Sequence, residues 1–521
     1  MQIADFLPSA NVLLAATAVL AVAFVLRFLP HVLAPLGIGV DHWYWREYIE
    51  KYRAERKFPP DLPQYLLESH QWYPPAFPLM MAHLPRLVFD RFSHVLAIFI
   101  DLLRLVWLMA VIFRLTHDPV AMVVAGGVYA MTPLLVSYNV QLNPRGLAAL
   151  MLDFIIVAVL LTFYFNGPLW LWIAPIPVLG LLLLTHKMNT QLFWFLCLVC
   201  GVIWDPQLLL LIPLSILVAM VISKGFYWKV LRHHWDIVSF WYRNWPWVGA
   251  NPVKESPIYG DESYETPRKL HRKGLLGVAK HVYSQLGYNP FAWLMIAILP
   301  LYPILPIPAG GFLHFVIAWL GLVLIFSLAT SFFSPMRCLG AGHFYLYNAA
   351  FPAALLWGFL FHYWQSRNVT AFLALGVVAS TLAIARFYVH VRQSATLKID
   401  PDFEAALQFL KWSPRGTVMC VPSIWPDVVA YKTRQPVLYG GHGYGFKMLE
   451  PTYPRLLVKV SELIRRYRLR YVLFDFDSLT EKFLADIPVE EIREFGRYSI
   501  ISVVQPKNAD EAIPSKEISP V

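Results

Sequence analysis

The chain has 521 residues, 58% of them hydrophobic and only 15% charged, against roughly 45–50% apolar and about 25% charged in soluble domains. With a mean hydropathy of +0.52, these figures exclude a soluble enzyme, a disordered chain and a fibrous repeat, and point to a multi-pass membrane protein. The formal charge is +10, but residues 401–521 hold 16 Lys and Arg against 15 Asp and Glu, so the basic excess lies in the membrane part, where it meets lipid phosphate rather than nucleic acid.

Taken in chain order, the apolar runs predict about eleven transmembrane helices, near 10–29, 93–113, 120–137, 147–165, 169–184, 188–203, 206–223, 291–306, 312–333, 344–364 and 370–389. The first run lacks a basic leader and a small-residue cleavage site, so it reads as an uncleaved span. A large aromatic, Pro-rich first loop follows at 38–92. A second long loop, 224–290, carries 10 Lys and Arg against 5 Asp and Glu. Short polar linkers sit at 141–145, 185–189 and 334–343. Eleven crossings place all of these, together with 390–521, on one face. With the N-terminus in the cytoplasm that face is extracytoplasmic. Cys197 and Cys200 share one apolar helix face, and four cysteines make no disulfide framework.

Residues 390–521 read as a separate water-soluble α/β domain after a transmembrane domain over 1–389. Residues 402–412 have helical spacing, 416–421 form a short β-rich apolar run, 453–467 an amphipathic helix, and 471–476 and 498–504 two more strands. No internal repeat is present, unlike the duplicated architecture common among transporters.

Several residues can carry chemistry. Asp41 opens the first loop, walled by Trp43, Tyr44 and Trp45. Partial desolvation there favours a general base, and an N-cap for the following helix is the other reading. His70, Trp72 and Tyr73, beside Pro74 and Pro75, form rigid apolar walls on which a sugar can stack, or an interfacial belt. Arg145, Lys187 with His186, and Arg337 with His343 lie at span edges. Each alone reads as a snorkelling cation; together they outline a site for an anionic lipid headgroup. Inside the spans, Asp101 and Arg104 stand three apart and are expected to pair, and Arg27 and Asp153 are further buried charges. There is no Walker loop, no His-Glu-x-x-His helix and no Gly-x-Ser-x-Gly elbow, and the glycines of 440–445 miss the dinucleotide spacing.

This order of parts resembles the GT-C superfamily of integral membrane glycosyltransferases. Arg27 ends the first span and Asp41 opens the large loop, as in that family. Residues 142–147 (Leu-Asn-Pro-Arg-Gly-Leu), 184–187 (Leu-Thr-His-Lys) and 337–352 are similar to family stretches that lead or end spans, and a soluble α/β domain closes the chain. Residues 424–427 (Ile-Trp-Pro-Asp) echo the Trp-x-Asp region of oligosaccharyltransferase catalytic subunits, without the full Trp-Trp-Asp-Tyr-Gly motif. The resemblance implies an inverting enzyme of the plasma (inner) membrane with an extracytoplasmic active site. It would move a sugar from a polyprenyl-phosphate donor to an acceptor hydroxyl on a glycan, lipid or protein. Asp41 would be the base and Glu47 the nearest second carboxylate. Arg145, Lys187, Arg337 and His343 would hold the donor phosphate, and His42, His70, Trp72 and Tyr73 would line the substrate. No cofactor or metal is indicated, and the partners are the lipid-linked donor, membrane lipid and an unnamed acceptor. The alternative is a transporter or flippase for an anionic lipid-linked glycan, which would use the same cations and need no base.

Overall fold

The structure, a computed structural model, describes residues 9–33, 40–67, 72–165, 170–261, 264, 274–302, 310–393, 400–440 and 446–504. Among the described residues, six helices are long and apolar enough to cross a membrane: Ala10–Leu33, Leu96–Thr116, Arg145–Phe165, Gly310–Phe332, Gly342–Tyr363 and Arg367–Gln393. The other five expected spans fold as shorter apolar helices, including Pro119–Ala130, Pro175–Leu183, Lys187–Ile203, Leu211–Ile222 and Pro290–Ile298. Prolines account for much of the shortening. Pro119, Pro133, Pro175 and Pro290 each occupy the first turn of a helix, where the missing N–H is harmless but upstream continuation is blocked. The count of eleven crossings is therefore not confirmed by helix length.

Buried charge ties three of the long helices together. Arg27 Nε donates to Asp101 Oδ2 at 2.5 Å, and Tyr129 OH donates to Asp101 Oδ1 at 2.7 Å. Arg104 pairs instead with Asp153, and all four charged side chains are fully buried. The expected Asp101–Arg104 pair is thus replaced by two pairs between helices. Adjacent turns of one helix bring side chains close, but in a dry interior each charge needs a partner with good geometry, and the neighbouring helices supply it. Arg27 also donates to Ala130 O at 3.0 Å, the open carbonyl end of Pro119–Ala130.

The C-terminal part holds a four-stranded sheet of β1 (Thr417–Val421), β2 (Leu469–Asp475), β3 (Val489–Phe495) and β4 (Tyr498–Val503), in the order β1-β2-β4-β3. β1 and β2 run parallel and the other pairs antiparallel. Helix Val460–Tyr467 starts later than its expected boundary, since Pro451 and Pro454 interrupt the preceding turns. The first loop completes the other sheet edge. Val437 N donates to Gln64 O at 2.7 Å and Leu66 N to Val437 O at 3.1 Å, while Leu438 N donates to Val418 O at 3.0 Å. Helix Val40–Glu55 is clamped to the same domain: Arg434 reaches Glu47 at 2.5 Å and Tyr431 OH donates to Glu50 at 2.5 Å. First loop and C-terminal domain therefore form one body above the helices.

Candidate functional site

The polar linkers meet at one end of the helical bundle. Ala76 N donates to Leu184 O at 2.8 Å, which lays the first loop on the 184–186 linker. Asp41 sits half-buried in the first turn of Val40–Glu55. Its carboxylate acts on Tyr73, His186 and Lys187. Lys187, the first residue of its helix, holds Nζ 6.0 Å from the Tyr73 ring centre.

Arg145 starts the helix Arg145–Phe165, and its backbone N–H is capped by Asn143 Oδ1 at 3.0 Å. The guanidinium lies 4.7 Å from the Tyr138 ring and 4.4 Å from that of Phe344. Those faces hold the cation in place while taking none of its directed hydrogen bonds. Its Nε is buried without a hydrogen-bond partner, and among the described residues Arg145 forms no ion pair. His343 packs beside it, 6.0 Å from Tyr138 and 5.5 Å from Tyr288, ring centre to ring centre.

The imidazoles around these cations are held neutral. Burial, reinforced by Arg145 and Lys187, pushes His186 down to about 3, and its Nδ1 meets Asn189 Oδ1 at 2.8 Å. Burial and Lys187 push His234 down to about 3 as well, and its Nε2 meets Gln191 Nε2 at 2.7 Å. Positive charge beside Tyr73 is thus carried by Arg145 and by Lys187, whose ammonium burial pushes down to about 8 while Asp41 opposes the fall. Tyr73 has its phenol pushed up by burial and by Asp41, so it stays a neutral donor.

Trp72, Tyr73, Lys187, Tyr227, His233 and His234 line a narrow cleft beside this cluster. Trp72 stacks flat on His233, with ring centres 5.7 Å apart, and Lys229 Nζ lies 4.5 Å from the Trp72 ring. Tyr227, His233 and His234 belong to the helix Tyr227–Asn244, inside the long basic loop 224–290. The amphipathic spacing of Tyr227, Val230, Ile237 and Phe240 was the available signal.

Other candidates stand apart. Arg337 donates from Nε to Ser331 O at 3.3 Å and covers Trp245 at 4.8 Å, so it caps the end of Gly310–Phe332. It reaches the cluster only through His281 and His343. Glu47 lies six residues after Asp41, on a different face of the helix, and binds Arg434. Burial raises its carboxyl and Arg434 opposes the rise. His42 is fully buried with neither ring nitrogen bonded, pushed down to about 3 by burial, then by Arg46 and His94. Trp425 packs between Phe403 and Tyr498, in the domain core. His70 lies outside the described residues. Among the described residues no three His, Cys, Asp or Glu side chains are placed to share a metal ion.

No protein-family model matches the chain, and no curated protein sequence matches it. Solved structures do. The apo oligosaccharyltransferase of Archaeoglobus fulgidus superposes with a TM-score of 0.52 at 13% identity, covering 89% of this chain and 69% of that one. ArnT from Cupriavidus metallidurans matches with a TM-score of 0.45 at 14% identity in its apo state, covering 94% of this chain and 97% of that one. Bound to undecaprenyl phosphate, it matches with a TM-score of 0.44 at 14% identity, covering 95% and 99%. At such identities the likeness shows the fold alone, one shared with the archaeal oligosaccharyltransferase.

Proposed function

We propose that this protein is an inverting membrane glycosyltransferase that moves a sugar from a polyprenyl-phosphate carrier to an acceptor hydroxyl. The observation that carries this reading is Arg145: a cation with a buried, unbonded Nε and no ion pair among the described residues, close to Lys187 and to a half-buried carboxylate. A buried donor without a partner is unfavourable by about 1–3 kcal/mol, and a phosphate oxygen is the acceptor that removes the penalty with matching charge and planar geometry.

In this reading the donor phosphate lies between Arg145 and Lys187, with His343 beside it. Asp41 accepts the proton of the acceptor hydroxyl as its oxygen attacks the anomeric carbon from the face opposite the phosphate. The carbon–oxygen bond to the phosphate breaks, and the electron pair leaves on a dianion that the two cations stabilise. Trp72 and Tyr73 give the sugar an aromatic wall. Glu47 is a structural member of the domain clamp and not a second base. The eleven crossings and the extracytoplasmic placement of the site belong to this proposal. The fold likeness and the gathering of six linkers at one end of the bundle support them.

The test is turnover by the purified protein with synthetic polyprenyl-phosphate sugars and a panel of sugar, lipid and peptide hydroxyl acceptors, read as release of polyprenyl phosphate. Release that depends on acceptor and on Asp41 is expected. Binding of the lipid followed by its passage across a vesicle membrane, with no release, would refute the transferase and favour a flippase.

A further inference from the structure

We infer that the helix Tyr227–Asn244 lies in the headgroup layer of the membrane and binds an anionic lipid surface through Trp228, Arg232, Trp235 and Tyr242. This rests on the membrane reading of the chain and is independent of the transfer reaction.

Both ends of the helix are tied to the level where spans leave the apolar layer. Its start follows the apolar helix Leu211–Ile222 after only four residues. Its end runs into Trp245, which Arg337 covers at 4.8 Å just beyond Gly310–Phe332. Eighteen residues give a rod of about 27 Å at 1.5 Å per residue. A rod with both ends at one level lies along the surface and does not rise from it.

The two faces differ sharply. Tyr227, Val230, Ile237 and Phe240 are buried against the protein. On the opposite side Trp228 is 64%, Trp235 73% and Tyr242 60% exposed. These three recur every seven residues, so they form one stripe that drifts by only about 20° per step. The exposed Arg232 flanks the stripe, Arg243 is paired with Glu450 at 3.0 Å, and Asp236 is the lone acid of the segment. Two Trp and a Tyr in line on water-facing surface are unfavourable, whereas ring and indole N–H together suit the boundary between acyl chain and headgroup. The adjoining guanidinium of Arg232 suits lipid phosphate.

The test is spin labelling of the full chain in lipid nanodiscs. The four native cysteines are buried, so Trp228→Cys and Trp235→Cys each offer one reactive thiol, with Glu490→Cys on the exposed edge strand β3 as the water reference. In phosphatidylglycerol discs, labels at 228 and 235 should collide severalfold less with a nickel chelate, and more with oxygen, than the label at 490. Arg232→Glu should shift the 235 label back toward water in those discs and not in phosphatidylcholine. Equal nickel collisions at 235 and 490 would overturn the proposal. Exclusion of both nickel and oxygen at 235 would mean a face covered by protein and would overturn it too. An Arg232→Glu variant with an unmoved label would remove the anionic lipid from it.

Discussion

Arg145→Ala removes the guanidinium proposed to hold the donor phosphate, and the structure sets the expected size of the effect. A hydrogen bond between charged groups contributes about 1.5–3 kcal/mol, which is about tenfold to about 150-fold in dissociation constant. Folding should change little, because two terms offset. The variant loses contacts with the faces of Tyr138 and Phe344, about 0.5–1 kcal/mol each at partly exposed sites. It also loses a buried Nε without a partner, which relieves about 1–3 kcal/mol. The helix start is untouched, since Asn143 caps the backbone N–H of residue 145 and not its side chain. Arg145→Lys should recover the charge but not the two-pronged grip, and so fall between the two. The assay is titration of a fluorescent polyprenyl-phosphate sugar into nanodisc-held protein at fixed ionic strength, with the thermal midpoint measured in parallel. An alanine variant with unchanged midpoint and unchanged affinity would refute the phosphate assignment and leave Arg145 as a cation held by aromatic rings alone.

Asp41→Asn should bind donor normally and turn over at least about a hundredfold more slowly, the lower bound for a positioned general base. A near-normal rate in single-turnover assays would return Asp41 to the capping role, which Asn performs as well. Asp101→Asn should lower stability by about 3–5 kcal/mol, read as a fall in thermal midpoint, because it leaves the fully buried Arg27 cation without its counter-charge; Arg27→Met in the same chain should restore much of the loss. Acid should destabilise the protein through His42 and His234, which sit at about 3 in the fold against 6.5. The folded state then binds fewer protons than the unfolded one, so stability is complete above about pH 6.5 and declines as pH falls toward about 3. Between pH 7 and 5 each histidine accounts for on the order of 2 kcal/mol, and His42→Asn should flatten the profile of midpoint against pH. His186 accounts for a remainder of the slope, so a slope as steep as that of the unsubstituted protein in His42→Asn and His234→Asn together would refute the contribution of these two residues.

The positions of the apolar helices and of β1, β2 and β4 were readable because their side chains are buried on a regular period. β3 was not, since Val489, Glu490, Glu491, Ile492, Arg493 and Glu494 are all exposed. It is a charged edge strand whose partner, and not its composition, makes it a strand. Asp41, Tyr73, Arg145 and Lys187 were each visible as ionisable or aromatic residues at span edges, and the parity of the spans put them on one face. Proximity in sequence says nothing about facing: six residues turn a helix by about 240°, and Glu47, the carboxylate nearest Asp41 in sequence, pairs with Arg434. Asp101 and Arg104 illustrate the same limit in the membrane, where the choice of partner depends on which helices are neighbours. The helix Tyr227–Asn244 contributes His233 and His234 to the cleft from a stretch whose basic charge hid its periodicity.

The hydrogen bonds between residues 64–66 and Val437 have a consequence for how the protein is made. Residues 64–66 leave the ribosome more than three hundred residues ahead of their sheet partner. Until that partner has been translated and delivered to the same side of the membrane, the early segment presents unpaired backbone and the buried carboxylate of Glu47 has no counter-ion. The sheet edge therefore closes only once residues 64–66 and Val437 have reached one compartment.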